Sequence, residues 1–189
     1  GGTNLQVLLD ARHTGGLPGG DIALVLSNRK AAYALERAKG AGVETRVLSK
    51  AMQPDPALYD QALLEILQAH GIDVLALGGF LGILGPRVLG RYAGRIVNIH
   101  PALIPAFSGM GFYGLRVHEA VLARGVKVTG ATAHLVTDEV DGGPILLQKA
   151  IDVLPGDTPE TLADRILVQE HRIYPQALRL LAEGKLAAP

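Results

Sequence analysis

Apolar residues recur along this chain with two alternating periods. Leu5, Leu8 and Leu9 share one side of a helix predicted over 4–13, and "DIALVLSN" (21–28) reads as a strand ending in turn residues. "AAYALERAKGAG" (31–42) is a helix stopped by glycine, "VETRVLS" (43–49) a strand, and 54–70 a helix with Leu63, Leu64 and Leu67 at helical spacing. "IDVLALGG" (72–79) is a near-continuous apolar run, the pattern of a strand covered on both faces. A short helix (86–94), the strand "RIVNIH" (95–100) and a helix (114–125) follow. The rhythm then changes. Two long strands, 127–137 and 144–153, are joined by the turn-rich "DEVDGG", which predicts an antiparallel or mixed extension of the sheet. A long final helix starts at Thr158 as N-cap with Pro159 in its first turn, and a bend is expected at Pro175. The rhythm is that of an α/β fold in one domain spanning 1–189.

Composition narrows the chemistry. Of 189 residues, 48% are hydrophobic and 19% charged, enough for a sizeable core. The net charge is zero, which gives no sign of nucleic acid or an anionic membrane as partner. Aromatic residues make up only 4%, which argues against a base-stacking platform. Cysteine is absent, so a disulfide framework, a thiolate nucleophile and a thiolate zinc site are excluded. A cytoplasmic location is expected. The opening "GGTNLQ" is a glycine turn entering a helix. Such turns ordinarily follow a strand, and a strand before Gly1 is expected in the native protein.

The stretch "NIHPALIP" (98–105) concentrates reactive groups. Residues two apart on a strand face one side, so Asn98 and His100 point into one space at the strand's carboxyl end, where open α/β sheets bind ligands. Asn98 offers amide donors, and His100 titrates near neutral pH. Pro101 and Pro105 restrict the loop that follows. Alternatively, Asn98 caps a turn and His100 fills a polar niche. Asp138 and Asp141 lie in the glycine-containing link; one could orient a histidine, or both could be turn formers. No additional ligand falls at metal-binding spacing, and no metal is expected. Gly2, Thr3 and Asn4 would present N–H groups to an anion at a helix N-terminus, or form an ordinary glycine turn. "GGFLGILGP" (78–86) could form a slot for a flat ring or plain strand-to-helix packing. His134 reads as a half-buried strand histidine. Most of His13, His70, His118 and His171 read as surface residues, and Glu170 as a helix-surface charge unless the last helix lines the site.

Together, "GGTNLQ", "SNRKAAYALERAKGAG", "NIHPALIPAF", "GVKVTGATAHLVTDEVDGGPILLQ" and "QEHRIYPQAL" resemble the phosphoribosylglycinamide formyltransferases, or GAR transformylases, through nearly the whole chain. The resemblance implies a single Rossmann-like formyltransferase domain. Its sheet would be mostly parallel, twisted and flanked by helices, with antiparallel strands in the C-terminal part. It implies formyl transfer from 10-formyltetrahydrofolate, a co-substrate, to the amine of glycinamide ribonucleotide, without metal, nucleic acid or membrane, in a monomer or homodimer. It matches Asn98, His100 and Asp141 to the family's catalytic trio, and Gly2, Thr3 and Asn4 to the substrate phosphate. Phe80, Leu81, Gly82, Ile83, Leu84, Val140 and Asp141 would surround the folate. His134 would stand beside the trio, and Glu170 near the glycinamide end. The chain departs from some relatives in having Gly82 and Pro56 where they carry arginine, and in the loop "FSGMGFYGLRVHEA". A formyltetrahydrofolate hydrolase and a non-catalytic phosphate-ligand module are the alternatives.

Overall fold

A computed structural model describes residues 1–17 and 20–185. Its elements run α1 (Thr3–His13), β1 (Leu24–Ser27), α2 (Tyr33–Gly40), β2 (Glu44–Val47), α3 (Pro56–Ala69), β3 (Leu75–Leu77), α4 (Pro86–Arg91), β4 (Ile96–His100), α5 (Leu115–Arg124), β5 (Val128–Leu135), β6 (Ile145–Asp152) and α6 (Pro159–Ala182). β1 and β2 pair in parallel, as do β3 and β4, while β5 lies antiparallel between β4 and β6. The described strands thus form a parallel pair, β1–β2, and a four-stranded sheet ordered β3–β4–β5–β6.

The sheet's two faces differ in a way β4 makes plain. Val97 and Ile99 join Ala131, Ala133 and Leu135 of β5 beneath α6. Ile96 turns the other way, into the α3–α4 cluster with Leu63, Leu67, Val88 and Tyr92. Strand alternation therefore sends Asn98 and His100 to the face opposite α6. On β5 the same alternation sends Thr132 and His134 to that face, and the register sets Asn98 opposite His134 and His100 opposite Thr132.

α6 starts as expected. The Thr158 hydroxyl accepts from the Thr161 N–H at 3.3 Å, and the Thr161 hydroxyl accepts from the Thr158 N–H at 2.8 Å, a reciprocal cap. The helix runs unbroken through Pro175. Its buried stripe is Leu162, Ile166, Ile173, Tyr174 and Ala177, and Glu170 falls within it. The Tyr174 hydroxyl donates to the Leu77 carbonyl at 2.8 Å, tying α6 to the end of β3. On the opposite side, α4 begins under a cap from another helix. Asp60 of α3, 3% exposed, accepts from the Arg87 and Val88 N–H groups at 2.8 and 3.2 Å.

Two expectations are corrected. The run 72–79 is not covered on both faces: only 75–77 is strand, Leu75 and Leu77 are half-buried and Ala76 is exposed. Among the described residues β3 pairs with β4 alone, so one edge lacks the neighbour that would enclose it. Nor are most of the remaining histidines at the surface. Only His13 is exposed; His70 and His171 are half-buried, and His118 is buried. His118 adjoins Val117 and precedes Val121 by three residues, which places it on the inward face of α5.

Candidate active site

Four side chains meet at the carboxyl end of β4. Asn98 and His100 come from β4, His134 from β5, and Asp141 from the link between β5 and β6. That link returns tightly: a Cβ on Gly143 would lie 2.0 Å from the Leu135 carbonyl oxygen, so only glycine fits. Asp141 has φ 56°, a left-handed conformation that aspartate tolerates better than most residues. Its Oδ2 accepts from the Gly109 N–H at 2.9 Å, which joins the link to the loop after β4.

Proton positions follow from the partners. His134 Nδ1 lies 2.9 Å from the Leu135 carbonyl, which can only accept, so Nδ1 carries the hydrogen. In the neutral ring, Nε2 then accepts from Asn98 Nδ2 at 3.1 Å. This fixes the Asn98 amide and leaves its second N–H without a partner among the described residues. His100 Nε2 lies 2.9 Å from the Phe107 carbonyl, so Nε2 is the donor and Nδ1 keeps the lone pair. Nδ1 faces Asp141 Oδ2 at 3.5 Å, beyond direct hydrogen-bond length. The gap suits a shared water or an entering substrate N–H.

Charge is balanced across the cluster. Burial pulls His100 below the ordinary histidine value, against the opposing pull of the Phe107 carbonyl and the Asp141 charge. Burial pushes Asp141 up, but His134, which can donate through Nε2 only when protonated, the Gly109 N–H and the charge of a protonated His100 outweigh it and hold the carboxyl below its usual range. At neutral pH this is a neutral imidazole beside an ionised carboxylate. His118 is also held low, by burial and then by the neighbouring His100. Its Nδ1 is buried with no hydrogen-bond partner among the described residues.

An apolar cleft opens beside the cluster. Phe80, Gly82, Ile83, Leu84 and Val140 line it together with Asn98, His134 and Asp141. Leu81 is 70% exposed and is not part of the wall. Asp138 lines the cleft but makes no contact with the histidines.

A second group lies where α1 begins. Gly2 holds φ 82°, and a Cβ there would meet Ala34 of α2 at 3.1 Å. Gly2 supplies no side-chain cap, so among the described residues the first N–H groups of α1, that of Thr3 included, have no capping side chain and are available to an anion. The Asn4 side chain turns inward and donates to Glu170 Oε2 at 2.7 Å. Glu170 is buried rather than a helix-surface charge, and burial pushes its carboxyl up, against the Asn4 bond. Asn4 Oδ1 is buried without a partner among the described residues. Among the described residues no group of His, Asp or Glu has a metal-holding arrangement, and no helix is long and apolar enough to cross a membrane.

Sequence reasoning missed the contacts made by backbone, the Phe107 carbonyl and the Gly109 N–H. It also missed Thr132, two residues before His134 and therefore on the same face. That offset was a usable signal; the backbone contacts left none.

The α/β sheet and the link after β5 thus present an amide, two imidazoles and a carboxylate beside an apolar cleft, groups able to donate to a carbonyl oxygen and to move a proton. The formyl transferase family model matches residues 1–178, and the chain belongs to that family. Within the family it is similar to the phosphoribosylglycinamide formyltransferase of Escherichia coli K12, with 38% identity over 98% of this chain and 84% of that protein. The trifunctional purine biosynthetic protein adenosine-3 of Bos taurus is 41% identical over 97% of this chain, which spans only 18% of that protein's length. The crystal structure of glycinamide ribonucleotide transformylase 1 from Symbiobacterium toebii superposes with a TM-score of 0.93 at 48% identity, covering 100% of this chain and 86% of that one.

Proposed function

We propose that this protein, acting as one domain, transfers the formyl group of 10-formyltetrahydrofolate to the amine of glycinamide ribonucleotide. The observation that carries the reading is the single free lone pair of His100, facing Asp141 beside an unpartnered Asn98 N–H at the edge of the apolar cleft. The amine attacks the formyl carbon, a C–N bond forms, and the carbonyl oxygen becomes an oxyanion. The free Asn98 N–H donates to that oxygen; loss of one such donor typically costs about 10²–10³ in rate. His100 Nδ1 takes the proton from the attacking amine, directly or through a water held by Asp141. The ionised carboxylate stabilises the imidazolium that results. The imidazolium returns that proton to the folate nitrogen as its bond to carbon breaks, so the histidine ends as it began.

The cleft walls formed by Phe80, Gly82, Ile83, Leu84 and Val140 suit the folate ring. The uncapped start of α1 at Gly2, Thr3 and Asn4 suits the ribonucleotide phosphate, with Glu170 toward the amine. Holding both substrates together supplies much of the acceleration by proximity. No metal takes part in this scheme.

The test is to incubate the protein with both substrates and follow folate absorbance, with a control lacking the ribonucleotide. Tetrahydrofolate release that requires the ribonucleotide supports the transferase. Release without it supports a hydrolase, and ribonucleotide binding with no release supports a non-catalytic phosphate-ligand module.

A further inference from the structure

His100 and Asp141 each take one bond from the irregular loop that follows β4: the Phe107 carbonyl accepts from His100 Nε2, and the Gly109 N–H donates to Asp141. The loop has no regular secondary structure, and Phe107 sits at φ 52°, a conformation a bulky residue seldom adopts. Something must hold its backbone. Two side chains outside the reacting group do so.

Thr132 of β5, fully buried, donates its hydroxyl to the Ala102 carbonyl at 2.7 Å and accepts from the Ile104 N–H at 3.2 Å. Gln148 of β6 donates through Nε2 to the Ile104 carbonyl at 3.0 Å and to Thr132 Oγ1 at 3.0 Å. The Thr132 hydroxyl thereby uses its one donor and both acceptor positions. The register explains why these residues can reach. His100 pairs with Thr132, and Thr132 pairs with Gln148, so the three form one row across β4, β5 and β6. Ala102 and Ile104 lie between His100 and the two backbone groups that orient the site. Fastening them fixes where Phe107 and Gly109 fall.

We propose that Thr132 and Gln148 are positioning residues for formyl transfer, acting through the 101–109 loop to set the Phe107 carbonyl against His100 and the Gly109 N–H against Asp141. The mechanistic part rests on the reading given under Proposed function; the hold on His100 does not. Neither side chain touches the substrates in this scheme. Their loss therefore lowers turnover while leaving KM close to its original value, since the cleft walls and the start of α1 are untouched.

The experiment compares Thr132→Val, which keeps the shape and removes the hydroxyl, with Thr132→Ser, which keeps the hydroxyl, and with Gln148→Leu. Melting curves first establish that each variant is folded. Nitrogen NMR of the imidazoles in the free protein then reads the His100 tautomer, and kinetics read kcat and KM. In the parent, His100 holds its proton at Nε2. In Thr132→Val and Gln148→Leu the tautomers mix, and kcat falls by up to about 10², the cost of misplacing a reacting group by about an ångström. Thr132→Ser retains both the tautomer and most of the rate. An unchanged tautomer and kcat in folded Thr132→Val and Gln148→Leu would overturn the proposal, as would Thr132→Ser behaving like Thr132→Val. If the parent transfers no formyl group yet the tautomer responds as described, the loop's hold on His100 stands and the assigned reaction falls.

Discussion

Asn98, His100 and Asp141 are close together, but each is asked for something different. Asn98→Ala removes the proposed donor to the oxyanion and should lower kcat by about 10²–10³ with little change in melting temperature. His100→Ala should lower it at least as far, through loss of the proton acceptor. The pH dependence carries more information. In the proposed mechanism His100 works unprotonated, so activity should be lost as pH falls through its pKa, which burial keeps under the ordinary histidine value. Asp141 opposes that depression. Asp141→Asn should therefore lower kcat and also move the acid limb of the kcat/KM profile to lower pH. A limb that stays in place would mean that another group sets it.

The elements carry these residues with different degrees of visibility. A period of two was enough to set Asn98 and His100 on one face of β4, and to make His134 a strand residue. The turn-rich link left two readings for Asp138 and Asp141, a carboxylate that orients a histidine or a pair of turn formers. What no local pattern contains is register. That Asn98 faces His134, and that His100, Thr132 and Gln148 form a row, depends on how β4, β5 and β6 slide against one another. Helix faces are hard to read for a different reason. His118 and Glu170 occupy inward positions on α5 and α6, where a polar residue looks from its type alone like a surface residue. The apolar residues at helical spacing around each of them were the better guide. Asp60 belongs to the same class. It reads as one charge on α3, yet it caps α4 from across an interface. Asp60→Ala should cost about 1–3 kcal/mol, because two N–H groups lose their acceptor in a buried place. Thermal or urea unfolding would measure it, and kcat should change far less than in Asn98→Ala.

At the scale of the whole molecule, buried imidazoles tie stability to pH. An unfolded histidine takes up a proton near pH 6.5, whereas His100 and His118 resist doing so in the folded state. With the folded value depressed, their contribution is complete above the unfolded pKa. It is lost as pH falls between the unfolded and folded values. Each such group steepens the acid decline by up to about 1.4 kcal/mol per pH unit. His118→Leu should flatten that decline, read as the difference in urea midpoints between pH 7.5 and 5.5. This holds whatever the substitution does to stability at pH 7.5.

The loop after β4 makes its contribution through a carbonyl and an amide, the two groups every non-proline residue possesses. Replacing most of its side chains one at a time would leave both in place, so a survey by substitution would flag Gly109, whose φ of 88° favours glycine, and pass over much of the rest. Lengthening or shortening it by a single residue would shift both groups at once. Kin of this protein are then free to spell the segment differently, provided the number of links between Ile104 and Gly109 stays the same.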